Sequence, residues 1–228
     1  MTLMGERIEA KALLIDLDGT IVDITEPCHA AAKEAAVKLQ LEDIDPEIGL
    51  EIAKKLQESN SVDEAARKLA RSRRIGRDFL KAFLDSWYAS APTKTTLLPK
   101  VRNTLRKVSR KYPLALITRR NMPKKPIKKE LKRLGLAPFF KVIVTSQDVD
   151  EPKPSPQAYE KAASELGVSV QDCAVIGDST VDIQAGKSAG AKTIAVLSGL
   201  FSRKELEKLE PDLILEDLNA LPDLLKKI

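Results

Sequence analysis

The sequence predicts an α/β protein with a doubly wound parallel sheet and an inserted all-helical lobe. In the C-terminal part of the chain, short aliphatic runs alternate with amphipathic helical segments, which is the pattern of repeated β-α units. Between the first aliphatic run and the next lie about 70 residues of helical pattern, too long for a simple crossover between neighbouring strands. We therefore expect a core of residues 1–22 and 93–228 and a helical lobe of residues 23–92.

The predicted strands are continuous apolar runs without polar alternation. This pattern is typical of parallel strands that are buried on both faces. The first strand spans residues 12–15, and the others span residues 114–117, 141–145, 173–176, 193–197 and 213–215. Helices are predicted between them at residues 100–111, 124–134, 155–166, 180–188 and 202–209, with a last helix ending at residue 228.

The lobe is predicted to contain four helices, at residues 27–41, 46–58, 61–75 and 76–88. Pro27 and Pro46 suit the first turn of a helix, and Ser61 followed by Glu64 forms a capping-box pattern. Residues 93–98 are predicted to be a return linker between two prolines.

Composition narrows the function classes. Hydrophobic content of 43% and charged content of 31% are typical of soluble globular proteins, and the absence of a long apolar stretch predicts a cytoplasmic protein without a membrane partner. Two cysteines are too few for a disulfide framework, and a single histidine, His29, excludes both a multi-histidine zinc site and a Ser-His relay. Hydrolytic chemistry must then use carboxylates, lysine and a metal ion.

The net charge of +5 would help to attract anionic substrates. The lysines and arginine between residues 124 and 133 suggest a nucleic-acid patch as an alternative to a solvated helix face. With 4% aromatic residues and none interleaved for base stacking, we expect no nucleic-acid partner.

Chemically active side chains follow several of the predicted strands. Asp16 and Asp18 follow the first strand, where two residues of extended backbone place both carboxylates on the same side. Because ligands of doubly wound sheets bind outside the carboxyl ends of the strands, we expect one edge of the sheet to collect these groups. The other candidates at this edge are Thr118, Lys153, Asp178, Ser179 and Asp182.

These residues, in this order, resemble the four motifs of the haloacid dehalogenase superfamily of phosphotransferases. Asp16-Leu-Asp18-Gly-Thr resembles the first motif, and Thr118 after an aliphatic strand resembles the second. Lys153-Pro-Ser-Pro resembles the third motif, and residues 177–182, Gly-Asp-Ser-Thr-Val-Asp, resemble the fourth. The helical lobe after the first motif is similar to the cap of the phosphoglycolate phosphatase and β-phosphoglucomutase branch.

The resemblance implies a site that binds Mg²⁺. Asp16 would be the nucleophile that forms an aspartyl-phosphate, and Mg²⁺ would be held by Asp16, Asp178 and the backbone carbonyl of Asp18. The Asp18 carboxyl group would then protonate the leaving oxygen and later activate water.

The resemblance also implies roles for three further residues. Thr118 would donate its hydroxyl group to the phosphoryl group, and Lys153 would pair with its charge. Asp182 would hold Lys153 or a metal-bound water.

Two arginines depart from the pattern of the family. Arg119 and Arg120 follow Thr118 where family members often have a small or amide residue. The two interpretations are that these arginines meet an acidic substrate or that both are solvated, and we assign Arg119 to substrate binding. Glu151, before the Lys153 loop, receives no role.

The leading prediction is a Mg²⁺-dependent phosphatase that acts on a small phosphorylated metabolite, such as a phosphoglycolate-like phosphomonoester. The alternatives are a phosphomutase of the β-phosphoglucomutase type, which would use the same residues, and a non-catalytic binding protein that retains the fold. A haloalkanoic acid dehalogenase is disfavoured, because displacement of a halide needs neither Asp18 nor Asp178. A phospho-receiver domain is also disfavoured, because its acceptor aspartate lies in the middle of the chain. The natural substrate and the oligomeric state stay open.

Overall fold

The computed structural model of the chain describes residues 7–42, 44–59, 62–73 and 76–228. The chain forms two compact units, one of residues 1–22 and 97–228 and the other of residues 23–96. In the described part of the chain, no helix is both long and apolar enough to cross a bilayer.

The first unit is built on a six-stranded parallel sheet, which confirms the predicted fold class. Its strands lie in the spatial order β6-β5-β2-β7-β8-β9. The order reverses at β2, the first strand of this sheet in the chain, and such a reversal is where doubly wound sheets place their ligand crevice. The strands are β2 (Ala12–Asp16), β5 (Leu114–Ile117), β6 (Phe140–Val144), β7 (Cys173–Gly177), β8 (Lys192–Val196) and β9 (Leu213–Leu215).

Helices connect these strands, as parallel pairing requires. The helix α7 packs on β6, β5 and β2, and α8 packs on β7 and β8. Every residue of β2, β5 and β7 is buried, in agreement with their continuous apolar sequences. The helices of this unit are α5 (Val101–Val108), α6 (Lys124–Arg133), α7 (Gln157–Leu166), α8 (Thr180–Ser188), α9 (Arg203–Glu207) and α10 (Leu221–Leu224).

The C-terminal segment differs from the prediction of one last helix. The helix α10 ends at Leu224, and the chain continues as β10 (Leu225–Lys227), which pairs in parallel with β1 (Ile8–Ala10). Ile8 faces Leu225 in this pair, and both are buried. The pattern of such a short segment does not distinguish helix from strand, and a partner more than 200 residues away decides the outcome.

The second unit contains four helices, α1 (Thr25–Lys38), α2 (Ile48–Gln57), α3 (Val62–Arg73) and α4 (Arg77–Lys94). Helix α1 packs against α4 and α2, and α3 packs against α2 and α4. At the crossing of α1 and α2, a Cβ atom on Gly49 would lie 2.2 Å from the carbonyl oxygen of Cys28, so only glycine fits there. Residues 61 and 75, at the ends of the predicted third helix, and the capping box at Ser61 lie outside the described residues, as does Arg74.

The predicted return linker at residues 93–98 is wrong in its first part. Helix α4 continues through Pro92 to Lys94, and residues 96–97 form the short strand β4 (Thr96–Leu97), which pairs with β3 (Val22–Asp23). The buried stripe of α4 includes Phe83, Trp87 and Ala91 at spacings of four residues, so packing holds the last turn in spite of the proline.

Candidate active site

The sheet register brings three of the predicted site residues to one edge. Asp16 is the last residue of β2 and Asp178 follows β7 directly. Because Ile15 pairs with Ile176 and Asp16 pairs with Ile117 of β5, the carboxyl ends of the three strands are level. Thr118, which follows Ile117, therefore stands at the same edge as the two carboxylates.

Three carboxylates form a buried cluster at this edge. Asp16, Asp178 and Asp182 each offer an oxygen atom, and these atoms all lie within 4.8 Å of one another. Burial raises the pKa of Asp16 to about 7, and the nearby charges of Asp182 and Asp18 act in the same direction. Three carboxylates at this distance repel one another, and a bound cation would relieve the repulsion. Carboxylate oxygens are also the ligands that hard divalent cations prefer.

Lys153 supplies one positive charge to the cluster. Its Nζ atom donates to Asp16 Oδ1 at 2.6 Å and to Asp182 Oδ1 at 2.5 Å, and its side chain is 2% exposed. Although burial disfavours the ammonium form, the two carboxylates raise the pKa of Lys153 above its ordinary value. The lysine is therefore charged and held directly beside Asp16.

Asp182 is saturated with hydrogen bonds. Its Oδ1 atom accepts from Lys153 and, at 2.9 Å, from the hydroxyl group of Tyr159, while Oδ2 accepts from the backbone N–H and the hydroxyl group of Ser179. These four donors use the approximately four lone-pair positions of a carboxylate. Asp182 therefore orients Lys153 and caps α8, whereas Asp16 and Asp178 are the acids suited to bind a cation.

Asp178 has a buried carboxylate oxygen that fits a cation ligand. Its Oδ1 atom accepts from the Thr20 hydroxyl group at 3.0 Å, but its buried Oδ2 atom has no hydrogen-bond partner among the described residues. A Cβ atom on Gly19 would lie 2.6 Å from Oδ2, and one on Gly199 would lie 1.7 Å from it. The two glycines leave room for this oxygen, and an unpartnered buried carboxylate oxygen beside Asp16 fits a bound cation.

Thr118 is buried, and its hydroxyl oxygen accepts the backbone N–H of Arg120 at 3.2 Å. With the oxygen used as an acceptor, the hydroxyl hydrogen can be donated to a phosphoryl oxygen. The backbone carbonyl of Arg119 accepts from the Ser146 hydroxyl group at 2.7 Å, and the Arg119 side chain is only partly exposed.

The interpretation of Arg120 as a solvated or substrate-facing arginine is wrong. Arg120 is 3% exposed, and its guanidinium group binds the Asp18 carboxylate through Nε, at 2.8 Å from Oδ2, and through Nη2, at 2.5 Å from Oδ1. Its Nη1 atom donates at 2.5 Å to Glu130 of α6, a fully buried residue. A buried guanidinium group needs carboxylate partners, and here it has two.

Sequence reasoning missed Glu130, Tyr159 and the role of Thr20. A signal for Glu130 was present, because it is the single acid in the basic segment of residues 124–133 and stands on the apolar stripe with Ile127 and Leu131. A charged residue on the buried face of a helix indicates a buried partner. Thr20 belongs to the first motif, but the motif alone does not indicate its hydrogen bond to Asp178, and Tyr159 gave no signal that separates it from an ordinary core residue.

Comparison with known proteins agrees with this geometry. The family model of the haloacid dehalogenase-like hydrolases matches residues 13–196. A phosphoglycolate phosphatase of Pseudomonas putida is 29% identical over 92% of this chain and 78% of its own length. The pyrophosphatase PpaX of Bacillus velezensis is 28% identical over 92% of this chain and 94% of its own.

Among solved structures, an HAD family hydrolase of Deinococcus radiodurans with bound phosphate and sodium superposes with a TM-score of 0.72. It is 25% identical to this chain, and the match covers 96% of this chain and 99% of that one. The family model covers more than half of the chain, including both aspartates of the first motif and the acids after β7. This protein belongs to the haloacid dehalogenase-like hydrolase family.

Proposed function

We propose that this chain is a Mg²⁺-dependent phosphatase that hydrolyses a small phosphomonoester through an aspartyl-phosphate on Asp16. The observation that carries the proposal is the buried pair of Asp16 and Asp178: one oxygen of Asp178 has no hydrogen-bond partner among the described residues, and Asp16 accepts a hydrogen bond from Lys153. The printed names of the relatives, a phosphoglycolate phosphatase and a pyrophosphatase, support phosphoryl transfer as the reaction class.

Asp16, Asp178 and the backbone carbonyl of Asp18 are the proposed ligands of Mg²⁺. When bound, the ion would neutralise charge between the anionic nucleophile and the anionic phosphoryl group. This donor set is supported by the buried oxygen of Asp178, which has no hydrogen-bond partner among the described residues, and by the proximity of Asp16. All of these residues belong to the α/β unit, so we assign catalysis to that unit.

In the first proposed step, an Asp16 carboxylate oxygen attacks phosphorus and the bond from phosphorus to the ester oxygen breaks. The Asp18 carboxyl group gives its proton to the departing oxygen, so the alcohol leaves neutral. Thr118 donates to a phosphoryl oxygen, and Lys153 balances the charge that builds on the equatorial oxygens. Arg119, which follows Thr118 in the chain, is the proposed contact with the part of the substrate outside the phosphoryl group.

In the second step, Asp18 accepts a proton from water while the water oxygen attacks the phosphorus of the aspartyl-phosphate. The bond between phosphorus and the Asp16 oxygen breaks, which releases phosphate and restores both carboxyl groups. Asp182 takes no part in bond making and keeps Lys153 in place.

The test measures release of inorganic phosphate from p-nitrophenyl phosphate and from a panel of phosphoglycolate, sugar phosphates and nucleoside monophosphates, with EDTA and with MgCl₂. We expect turnover only with Mg²⁺ and a loss of at least about 10³-fold in Asp16→Asn, since no nucleophile remains. Asp223→Asn is the matched control, because Asp223 is an exposed acid of the same unit.

The same assay separates the alternatives. Equal amounts of alcohol and phosphate indicate a phosphatase, whereas alcohol release without phosphate, with transfer to a sugar phosphate, indicates a phosphomutase. Turnover that survives Asp16→Asn, or that needs no metal ion, would contradict the proposed mechanism.

A further inference from the structure

Arg120 lies between two carboxylates in the interior of the α/β unit. Its Nε and Nη2 atoms bind the two oxygens of Asp18 as a fork, and its Nη1 and Nη2 atoms bind the two oxygens of Glu130 at 2.5 and 3.3 Å. The side chains of Arg120 and Glu130 are 2% and 0% exposed, whereas that of Asp18 is 16% exposed. The chain of contacts therefore runs from the core to the edge where the proposed phosphoryl site lies.

A contribution to stability alone does not explain why Glu130 is buried. It stands on the apolar stripe of α6, and replacing a buried ion pair by apolar residues is often neutral or stabilising. A glutamate at this position does, however, hold the Arg120 guanidinium group through Nη1 and Nη2, while Nε and Nη2 bind Asp18. An arginine held by two carboxylate forks loses the freedom of its long side chain before any substrate arrives.

Asp18 needs such a support. It lies beyond the end of β2, in the turn before Gly19, and its side chain is partly exposed, so contacts with neighbouring side chains fix its orientation. The fork from Arg120 engages one lone-pair position on each carboxylate oxygen and leaves the others open. The backbone N–H of the same arginine also holds the Thr118 hydroxyl oxygen, so one residue orients two groups of the site.

We propose that Arg120, oriented by Glu130, is a positioning residue that aims the Asp18 carboxyl group at the leaving oxygen of the substrate. The inference rests on the proposed function, because it assumes that Asp18 protonates that oxygen. Direct substrate binding by Arg120 does not fit, since Nε, Nη1 and Nη2 all donate to carboxylates and the residue is 3% exposed.

The leaving group provides a test that a purely structural role would not pass. A p-nitrophenolate ion leaves without a proton, whereas an alkoxide, such as that of glycerol phosphate, needs the general acid. The quantity to compare is kcat/KM, because it reports only the steps up to phosphorylation of Asp16. If the Asp18 carboxyl group loses its orientation, kcat/KM should therefore fall for the alkyl phosphate and stay nearly unchanged for the aryl phosphate.

The variants are Arg120→Lys, which keeps the charge and loses the fork, and Glu130→Gln, which keeps the shape and loses the charge behind the guanidinium group. We expect kcat/KM for glycerol phosphate to fall by about 30-fold in Arg120→Lys and about 5-fold in Glu130→Gln, as part of the roughly 10²–10⁴-fold effect of a general acid. For p-nitrophenyl phosphate the change should stay below about 3-fold. Arg110→Lys is the control, because Arg110 is an exposed arginine of the same unit.

A double variant shows through which residue Arg120 acts. In an Asp18→Asn background, Arg120→Lys should cause no further loss with glycerol phosphate, because the group that it positions is already gone. The inference would be overturned if the loss in the double variant equals the product of the losses in Asp18→Asn and Arg120→Lys, or if Arg120→Lys lowers kcat/KM equally for both substrates. If Arg120→Lys does not fold, Glu130→Gln and its combination with Asp18→Asn decide the question by the same criteria.

Failure of the proposed function would look different. In that case the wild-type protein would hydrolyse neither substrate, or Asp16→Asn would keep its activity. Wild-type activity that depends on Asp16 and Asp18, with no difference between the two substrates in the Arg120 and Glu130 variants, refutes the positioning role alone.

Discussion

Replacing Asp178 by asparagine should stabilise the metal-free protein, although Asp178 is central to the proposed metal site. Burial, together with the charges of Asp16 and Asp182, raises the pKa of Asp178 well above its usual range, and Oδ2 has no partner among the described residues. A buried charged group without a partner costs at least roughly 1–3 kcal/mol, and asparagine removes this charge. We expect Asp178→Asn to gain about 2 kcal/mol, which corresponds to an increase in Tm of about 4–8 °C for a chain of this size.

The sign of the pH dependence follows from the direction of the pKa shift. The unfolded chain gives up the Asp178 proton near pH 4, whereas the folded, metal-free protein holds it to a higher pH. The wild-type protein therefore loses stability as pH rises from about 4 through the raised folded pKa. Asp178→Asn lacks this titration, so its advantage in Tm should be small near pH 4 and should grow toward neutral pH.

Magnesium should reverse the order of the two proteins. A ligand at 100 times its Kd stabilises the folded state by about 2.7 kcal/mol, which is about 5–11 °C in Tm here. Thermal unfolding followed by intrinsic fluorescence, in EDTA and in MgCl₂ from pH 4 to pH 8, measures both effects, with Asp223→Asn as the exposed control. If Asp178→Asn melts below the wild type in EDTA, the buried charge is not the cost that we infer; if it keeps the wild-type response to Mg²⁺, Asp178 is not a ligand of the cation.

Three further predictions concern other parts of the chain. Gly199→Ala should weaken Mg²⁺ binding by at least about 10-fold in titration calorimetry, because the new Cβ atom would overlap Asp178 Oδ2. Gly76→Ala, whose Cβ atom meets no atom of the described residues within 4 Å, is the control and should bind Mg²⁺ like the wild type. Equal affinities of Gly199→Ala and the wild type would contradict the close approach of Gly199 to Asp178. Burial alone would raise the pKa of Asp212, but hydrogen bonds from Lys192 and Thr193 of β8 lower it. The carboxylate therefore stabilises the fold above about pH 4, and this stabilisation disappears as pH falls through the lowered pKa. Asp212→Asn should reduce Tm at pH 7 and have little effect on Tm at pH 2.5. Burial raises the pKa of the Cys173 thiol to about 12, so iodoacetamide at pH 8 should modify it only after unfolding, and rapid modification of the native protein in mass spectra would disprove its burial.

The sheet and its active edge were predictable from sequence because both depend on local patterns. Apolar runs such as residues 114–117, repeated between helical segments, indicate buried parallel strands, and the acids that follow β2 and β7 meet because parallel strands share one carboxyl edge. The positions of Asp16 and Asp178 follow from this geometry.

The features that were missed depend on contacts between distant residues. The C-terminal strand β10 exists because β1 pairs with it, and α4 continues past Pro92 because its buried stripe continues. The pairing of Arg120 with Glu130 needs the first turn after β5 and the buried face of α6 to face each other, which the periodicity of neither segment shows.

The paired strands β3 and β4 have a consequence for the architecture of the chain. Segments 22–23 and 96–97 leave and re-enter the α/β unit side by side, at the spacing of about 4.8 Å between neighbouring strands. The polypeptide between them therefore has to satisfy only one geometric condition, that its two ends meet. Inserts of quite different length can be grafted at this junction without disturbing the register of the six-stranded sheet.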